Sequence, residues 1–204
     1  SGGYAYVSSS RTTALDQQYL ANYANKFGEH NVDVMVGYEN YHLISSGISG
    51  TQQKLFNPDI AEISNAILSP STSSSTNSYF HQGILAQAKY DYASRYFVSV
   101  SYRHDGTSRF AKGHQWGDFW SVGAAWDIKG ESFMDGINDI DLLKIKVSYG
   151  SQGNDNLLTP DGYTNYQPWA DQYVISENNG EFATTLSYKG NKDITWETSY
   201  NFNA

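Results

Sequence analysis

In residues 96–126, YFVSVSYRHDGTSRFAKGHQWGDFWSVGAAW, two strictly alternating segments flank one polar loop. One face of the first segment carries Tyr96, Val98, Val100 and Tyr102, and the other carries Ser99, Ser101 and Arg103. The second segment sets Trp120, Val122, Ala124, Trp126 and Ile128 against Ser121, Gly123 and Asp127. A two-residue period predicts β-strands. Apolar stripes that end in aromatics are typical of strands with one face against lipid.

The composition is compatible with strands that are apolar on one face only. The chain has 204 residues, enough for one domain or part of a larger one. Aromatics make up 15% of it, including 17 Tyr, although the mean hydropathy is -0.55. No run approaches the roughly 20 apolar residues of a membrane-spanning helix. Membrane crossing, if it occurs, is therefore expected to use strands.

Charge and cysteine content exclude other classes of protein. The 13 basic and 21 acidic residues give a net charge of -8, which argues against nucleic-acid binding. The chain has no cysteine, so it has neither a disulfide framework nor a thiolate metal site. Its first residues lack a basic region followed by an apolar run, so we expect a removed signal peptide or an internal piece of a longer chain.

Alternating segments recur along the whole chain and predict about nine strands. Besides the two in 96–128, they cover residues 3–10, 18–27, 31–42, 79–92, 142–150, 182–189 and 194–202. The last two are expected to form a hairpin across 190–193. Most of these segments approach the roughly 9 to 11 residues that a tilted membrane strand needs.

The predicted connections alternate in length. Short ones fall at 28–30, 93–95 and 190–193, an intermediate one at 129–141, and long ones at 43–78, 105–118 and 151–181. Residues 69–78, SPSTSSSTNS, are of low complexity and predict a mobile part of a long loop. Residues 131–134 predict one helical turn. Such alternation is typical of a membrane barrel with long external loops and short periplasmic turns.

A soluble sandwich or jelly roll also has alternating strands, whose apolar stripes face a core. Charged residues on the opposite face favour a barrel with a water-filled lumen instead: Lys89, Asp91, Arg103, Lys144 and Lys146. Leu20 and Leu85 on that same face count against the barrel. The barrel remains the better interpretation of the pattern.

Four ordered motifs carry a family resemblance. They are RHDGTSRF at 103–110 with Trp116-Gly117, ESFM at 131–134, LKIKVSYG at 143–150 with Gly153-Asn154, and NKDITWET at 191–198. Together with FGEHN at 27–31, they resemble the barrel of SusC/RagA-type TonB-dependent outer-membrane transporters of the Bacteroidetes. The resemblance runs from about Tyr19 to Phe202. Trp120, Gln115 and Lys192 depart from the family pattern, which usually has Pro, Arg and Pro there.

The resemblance implies an architecture larger than this chain. Residues 1–204 are expected to be a central slice of one TonB-dependent receptor barrel domain, an antiparallel transmembrane β-barrel segment of about nine strands from a probable 22. The plug and the N-terminal extension of the family are expected to lie outside it. A closed barrel of 8 or 10 strands also fits the length.

The resemblance also implies a function. It is TonB-dependent import of oligosaccharides or other large nutrients, glycan or peptide, by a multi-pass protein of the Gram-negative outer membrane. The expected partners are a SusD-like surface lipoprotein, outer-membrane lipid, and TonB through a region absent here. We expect no enzyme activity, no cofactor and no nucleic-acid partner. The alternative is a soluble secreted β-sandwich that binds carbohydrate or acts as an adhesin; a sandwich hydrolase lacks a convincing catalytic pair.

Candidate chemistry is sparse. His104 beside Asp105 could form an acid/base pair, but Asp105-Gly106 is first a hairpin-turn signal. The oxygens of Asn154, Asp155, Asn156, Asp161 and Asp171 could bind calcium, although their spacing matches no ligand loop and such residues are common in turns. We therefore predict no catalytic residue and no metal site.

Loop aromatics are the better candidates for ligand binding. Trp116 lies in the 105–118 connection, and four more lie in 151–181: Tyr163, Tyr166, Trp169 and Tyr173. Sugars stack their apolar faces on such rings, while Asp and Asn accept hydroxyl hydrogen bonds. The alternative is that these rings pack the loops together or contact a partner protein.

Overall fold

The computed structural model describes residues 2–159 and 161–204; Ser1 and Pro160, the latter within the predicted connection 151–181, lie outside the described residues. The predicted all-β, antiparallel class is confirmed. The described residues form β1 Tyr4–Phe27, β2 His30–Leu55, β3 Ala66–Tyr92, β4 Tyr96–Thr107, β5 Trp116–Asp127, β6 Lys144–Asn154, β7 Gln172–Asn178, β8 Glu181–Tyr188 and β9 Glu197–Asn203. Two single-turn 3-10 helices cover Ile63–Asn65 and Ser132–Met134. No helix in the described part is long and apolar enough to cross a bilayer.

Seven strands form one sheet in the order β1-β2-β3-β4-β5-β6-β9, and β7 and β8 form a separate two-stranded sheet. The chain divides into two compact units, Ser1–Leu15 with His42–Tyr79, and Asp16–Tyr41 with Phe80–Ala204. In the first unit, the backbone N–H of Lys54 donates to the Gly3 carbonyl at 3.0 Å. The second unit contains β4 to β9 and the motifs described above.

The register of the second unit brings the predicted apolar faces together. Between β4 and β5 the partners are Tyr96 with Trp126, Val98 with Ala124, Val100 with Val122, and Tyr102 with Trp120. Between β5 and β6 they are Val122 with Tyr149, Ala124 with Val147, and Trp126 with Ile145. Because directly opposite side chains share a face, the apolar stripes predicted from alternation merge into one surface.

β1 joins the two strands predicted at 3–10 and 18–27 into one, and β2 and β3 are much longer than predicted. β1, β2 and β3 have 24, 26 and 27 residues. The long connection predicted at 43–78 shrinks to residues 56–65, and the serine-rich stretch 69–78 belongs to β3. Its prediction as a mobile loop is wrong. Residues 69–78 are exposed, so hydroxyl side chains replace the apolar alternation that would have marked a strand.

The predicted hairpin across 190–193 is also wrong. β8 pairs with β7 through the turn Asn179-Gly180, where both residues have positive φ, 53° and 82°. β9 instead pairs with β6, so that Phe202 lies opposite Tyr149. Asn-Gly is a strong hairpin signal, because both residues tolerate the left-handed conformation of a type I′ turn. That signal was available in the sequence.

The long connection predicted at 151–181 contains the unpredicted strand β7, whereas the short connections follow the prediction more closely. Short turns at 28–29 and 93–95 join β1 to β2 and β3 to β4, and 131–134 contains the predicted helical turn. The loop between β4 and β5 covers only 108–115. Asp105-Gly106, predicted as a hairpin turn, lies inside β4 and pairs with Gly117 and Trp116 of β5.

Candidate functional site

The merged apolar face of β3, β4, β5 and β6 remains open. Val98, Val100, Val122 and Val147 at its centre are 42–47% exposed. Exposing apolar surface to water costs a free energy of about 25 cal/mol for each Å². A contiguous exposed surface of this kind marks contact with a membrane or another protein.

Aromatic rows border this face at both ends. Beside the 93–95 turn, Tyr96 stacks on Tyr92 and on Trp126, each with ring centroids 6.4 Å apart. At the opposite end, Tyr149 contacts Trp120 edge-on at 5.7 Å and stacks on Tyr200 at 6.2 Å. The aliphatic centre and the aromatic borders of this face match the pattern of membrane-spanning β-strands, which have aromatic girdles at both interfaces.

One carboxylate binds the polar tips of the first aromatic row. Glu131, 8% exposed, accepts hydrogen bonds from the Tyr96 hydroxyl at 2.5 Å and the Trp126 indole at 3.0 Å. Its other oxygen accepts from Arg95 at 3.0 Å. The hydrogen bond from Tyr96, then that from Trp126 and the nearby Arg95 charge, lowers the pKa of Glu131. Glu131 belongs to the ESFM motif, but its hydrogen bonds to these two rings were not predicted from the sequence.

The opposite face is polar and concave. It borders a cavity of about 1130 Å³ whose lining includes Asp33, Lys89, Asp91, Ser99 and Lys146. These include three of the charged positions used to predict a lumen, Lys89, Asp91 and Lys146. The structure thus separates one apolar face from one water-compatible face of the same sheet.

An ion network crosses three strands of the polar face. Arg103 contacts Asp105 at 3.0 Å and Glu39 at 3.1 Å, and Asp105 is only 7% exposed. A side chain at Gly83 would collide with the Asp105 carboxylate, so glycine there allows Asp105 to lie across β3. Charges buried to this extent are generally paired, as they are here.

The possible acid/base pair does not form. His104 Nδ1 lies 2.8 Å from Asp118 Oδ1, and its ring stacks on Trp116 at 4.6 Å. Asp105 instead binds Arg103 on the other face. Successive residues in a strand point to opposite faces, which separates the two functional groups.

Three of the four sequence motifs meet in one aromatic cluster. Trp196 packs edge-on against Phe110 at 5.7 Å and Phe119 at 5.2 Å, and Phe110 is 1% exposed. The Trp196 indole donates to the Gln115 carbonyl at 3.0 Å. Gly117 and Gly153 leave room for these rings. The motifs therefore contribute to packing, and sequence spacing alone could not show that they converge.

Three residues considered as calcium ligands, Asp155, Asn156 and Asp171, accept hydrogen bonds within the protein. Asp155 accepts from Thr107 at 2.6 Å and from Arg109 at 3.2 Å, and Asn156 accepts from Arg109 at 3.1 Å. Asp171 accepts from Lys189 and from the Gly190 backbone, and these bonds, that from Lys189 first, lower its pKa. Among residues 2–159 and 161–204, no group of three or more His, Cys, Asp or Glu could hold a metal ion.

The five predicted ligand-binding aromatics are dispersed. Tyr163 and Tyr173 are the most open, at 75% and 57% exposure. Trp116 stacks on His104, and Tyr166 lies 6.0 Å from the Arg109 guanidinium. Trp169 is half-buried, and its indole N–H has no hydrogen-bond partner in the described part of the chain. No ring contact among the described residues joins two of the five.

Comparison with known proteins identifies a common class. No protein-family model matches the chain. TonB-dependent receptor P3 of Formosa agariphila is 26% identical over 190 residues, which are 92% of this chain and 19% of the receptor. TonB-dependent receptor SusC of Bacteroides thetaiotaomicron is 27% identical over 202 residues, 92% of this chain and 19% of SusC. The chain resembles a segment of a TonB-dependent receptor.

Solved structures agree with the fold of this chain. The RagAB peptide transporter matches 97% of the chain with a TM-score of 0.86 and 19% identity. The RagAB peptide importer in the closed-closed state matches 97% with a TM-score of 0.81. The chain covers 22% of each solved chain, so it spans about a fifth of the length of the proteins it matches. The predicted resemblance to SusC/RagA-type receptors is confirmed.

Proposed function

We propose that this chain forms part of the wall of a multi-pass β-barrel in a Gram-negative outer membrane, in a receptor that imports large nutrients and is not an enzyme. The observation that carries the proposal is the exposed apolar face with aromatic borders, set against a polar concave face. In a bilayer the first face contacts acyl chains without cost, while the second borders a water-filled lumen.

The soluble sandwich is the less favourable alternative. In a sandwich, a second sheet packs about 10 Å away and covers the apolar stripe. In the described part of the chain the second sheet is only the β7–β8 hairpin, and Val100 stays 47% exposed. Lipid accounts for that exposure more simply than a missing protein layer.

The larger architecture follows from the share of the relatives that the chain matches. We propose that residues 1–204 belong to one barrel domain of probable 22-stranded architecture. The remaining strands, the plug and the N-terminal extension would be contributed by other parts of the receptor. The 19% coverage of both P3 and SusC supports this proposal.

The proposed partners and cargo come from the relatives. Similarity to SusC and to RagAB supports a SusD-like surface lipoprotein as partner and TonB as the energy-coupling protein. Oligosaccharides are the proposed cargo, with other large nutrients such as peptides as the competing class, since one matched structure is a peptide transporter.

For ligand contact, the proposal concentrates on Tyr163 and Tyr173, whose exposed rings can stack on a sugar face. Lys189 and Asp171, paired at 2.8 Å, lie in the same part of the chain and offer polar groups for hydroxyls. Trp116, Tyr166 and Trp169 remain predicted contacts, although each also has a packing environment.

The test uses the full-length receptor expressed with and without its lipoprotein partner in a host lacking the native gene. We expect the protein to fractionate with the outer membrane and to restore uptake of labelled oligosaccharide in a TonB-dependent manner. Uptake of peptide alone would correct the cargo, and a receptor that stays monodisperse without detergent would overturn the proposal.

A matched pair of variants separates ligand contact from packing. Tyr163→Ala with Tyr173→Ala is expected to reduce oligosaccharide uptake severalfold at unchanged expression. Phe182→Ala is the control, because Phe182 is 92% exposed in the neighbouring β8 and offers no polar edge. Equal uptake by all variants would remove these two tyrosines from the site.

A further inference from the structure

The connection at 128–143 presents an exposed aromatic ring beside two buried side chains. Glu131 and Met134 are 8% and 6% exposed, whereas Phe133 between them is 65% exposed. Residues Ser132–Met134 form a 3-10 turn. A 3-10 helix has three residues per turn, so positions 131 and 134 lie on one side and 133 on another.

The partners of Glu131 identify what the buried side of this turn covers. Its carboxylate binds Tyr96 and Trp126, and both belong to the exposed apolar face rather than to the polar concave face. Just beyond the end of β5 and before the start of β6, the backbone N–H of Ile128 donates to the Leu143 carbonyl at 2.9 Å. The turn therefore sits at the aromatic row that borders the apolar face.

We propose that Phe133 is an interfacial lipid anchor, whose ring enters the boundary between the headgroups and the acyl chains of the leaflet nearest the 93–95 turn. The proposal rests on the proposed function, because it requires the apolar face to contact lipid. In this position Phe133 would add one residue, outside the strands, to the aromatic row of Tyr92, Tyr96 and Trp126.

The acidic residues of the same connection limit how deeply Phe133 can enter the membrane. Asp135, Asp139 and Asp141 are exposed and follow Phe133 closely in the sequence. Carboxylates are expensive to bury in hydrocarbon. They hold their own stretch, residues 135–141, near water, so Phe133 lies at the boundary and not in the bilayer core. Aromatic residues form girdles at this level of membrane barrels.

The absence of cysteine from the chain allows a direct measurement, because one introduced cysteine then gives one labelled position within it. Spin labels are placed at Phe133→Cys, Val100→Cys and Asp139→Cys in the full-length receptor, reconstituted in bilayers of zwitterionic phospholipid. Power saturation compares the accessibility of each label to oxygen, which concentrates in lipid, and to a water-soluble nickel chelate.

We expect the oxygen-to-nickel ratio to be highest at position 100, lowest at 139 and intermediate at 133. A ratio at 133 equal to that at 139, with position 100 lipid-like, overturns the anchor and leaves the proposed function intact. A water-like ratio at position 100 overturns the proposed function itself. A label at 133 that reaches neither reagent indicates a protein contact and also rejects the anchor.

A conservative variant provides an independent readout that retains a large ring. Phe133→Trp is expected to add fluorescence that lipids brominated near the glycerol quench more than lipids brominated deep in the acyl chain. Preferential quenching by deep bromines, or no added quenching by either lipid relative to wild type, contradicts the proposed depth.

Discussion

Phe119 packs edge-on against Trp196, with ring centroids 5.2 Å apart and ring planes inclined by 66°. Phe119 lies in β5, two residues after Gly117, and Trp196 lies in the 191–198 motif just before β9. Edge-to-face contacts add about 0.5–1.5 kcal/mol to the energy of apolar burial. This contact ties β5 to the approach to β9, two segments that are far apart in the sequence.

Phe110 should be the most sensitive position in that cluster. Its side chain is 1% exposed and contacts Trp196. Phe110→Ala is expected to lower the free energy of unfolding by about 3–5 kcal/mol, because it removes a buried ring and leaves a cavity. Urea titration of the folded receptor measures the loss. Phe182→Ala, at a 92% exposed position, is the control and should stay within about 0.5 kcal/mol of wild type.

Gly153 should tolerate no side chain. A Cβ at this position would overlap the Phe119 ring, whereas one at Gly136 would meet no atom within 4 Å. Gly153→Ala is expected to cost about 1–3 kcal/mol through overpacking, and Gly136→Ala to be neutral or slightly stabilising. Thermal unfolding of the two variants checks the difference. Equal midpoints would mean that Phe119 moves aside without cost.

A positive charge should destabilise the protein much more on one face of β4 than on the other. Val100→Arg places a guanidinium in the middle of the apolar face, and Ser101→Arg places it on the polar face one residue later. If the first face meets lipid, Val100→Arg should cost about 2–4 kcal/mol and Ser101→Arg much less. Folding yield into bilayers measures both. A larger loss for Ser101→Arg would reverse the assignment of the faces.

Acidification should loosen the 128–143 connection. The pKa of Glu131 is lowered from the model-compound value of 4.5, chiefly by the hydrogen bond from Tyr96. A lowered folded-state pKa means that the carboxylate stabilises the protein above its unfolded pKa and that this contribution is lost as pH falls through the folded value. Indole fluorescence followed from pH 7 downward should report the release of Trp126.

Glu131→Gln removes this titration and should flatten the transition, at some cost in stability at neutral pH. Asp139→Asn, a carboxyl of the same connection, is the matched control and should keep the wild-type pH dependence. An unchanged transition in Glu131→Gln would show that another group produces it.

Alternation predicted β4, β5 and β6 well because these strands are apolar on one face. The pairing of Tyr96 with Trp126 and of Val100 with Val122 follows from stripes that share a buried or lipid-facing side. The same reasoning failed at residues 69–78, where serine and threonine occupy both faces and leave no periodic signal. It also failed at β9, whose pairing with β6 is a long-range contact that local sequence does not specify.

The candidate site was predicted less completely than the fold. Loop aromatics such as Tyr163 can be named from composition, but whether a ring is open or packed depends on neighbours, as Trp169 shows with its buried indole. The role of Glu131 could not be predicted from the sequence for the same reason. Its role depends on Tyr96 and Trp126, which only the folded strand ends bring within reach.

The strand order has a consequence for assembly. β1 and β9 stand at the two ends of the described seven-stranded sheet, so each has a neighbour on one side within it. In hydrocarbon an unpaired backbone group costs several kcal/mol, and a whole strand edge presents a row of them. If this sheet is part of a membrane wall, as we propose, it cannot enter a bilayer with both edge strands unpaired. Flanking strands would then have to pair with β1 and β9 before the wall leaves water.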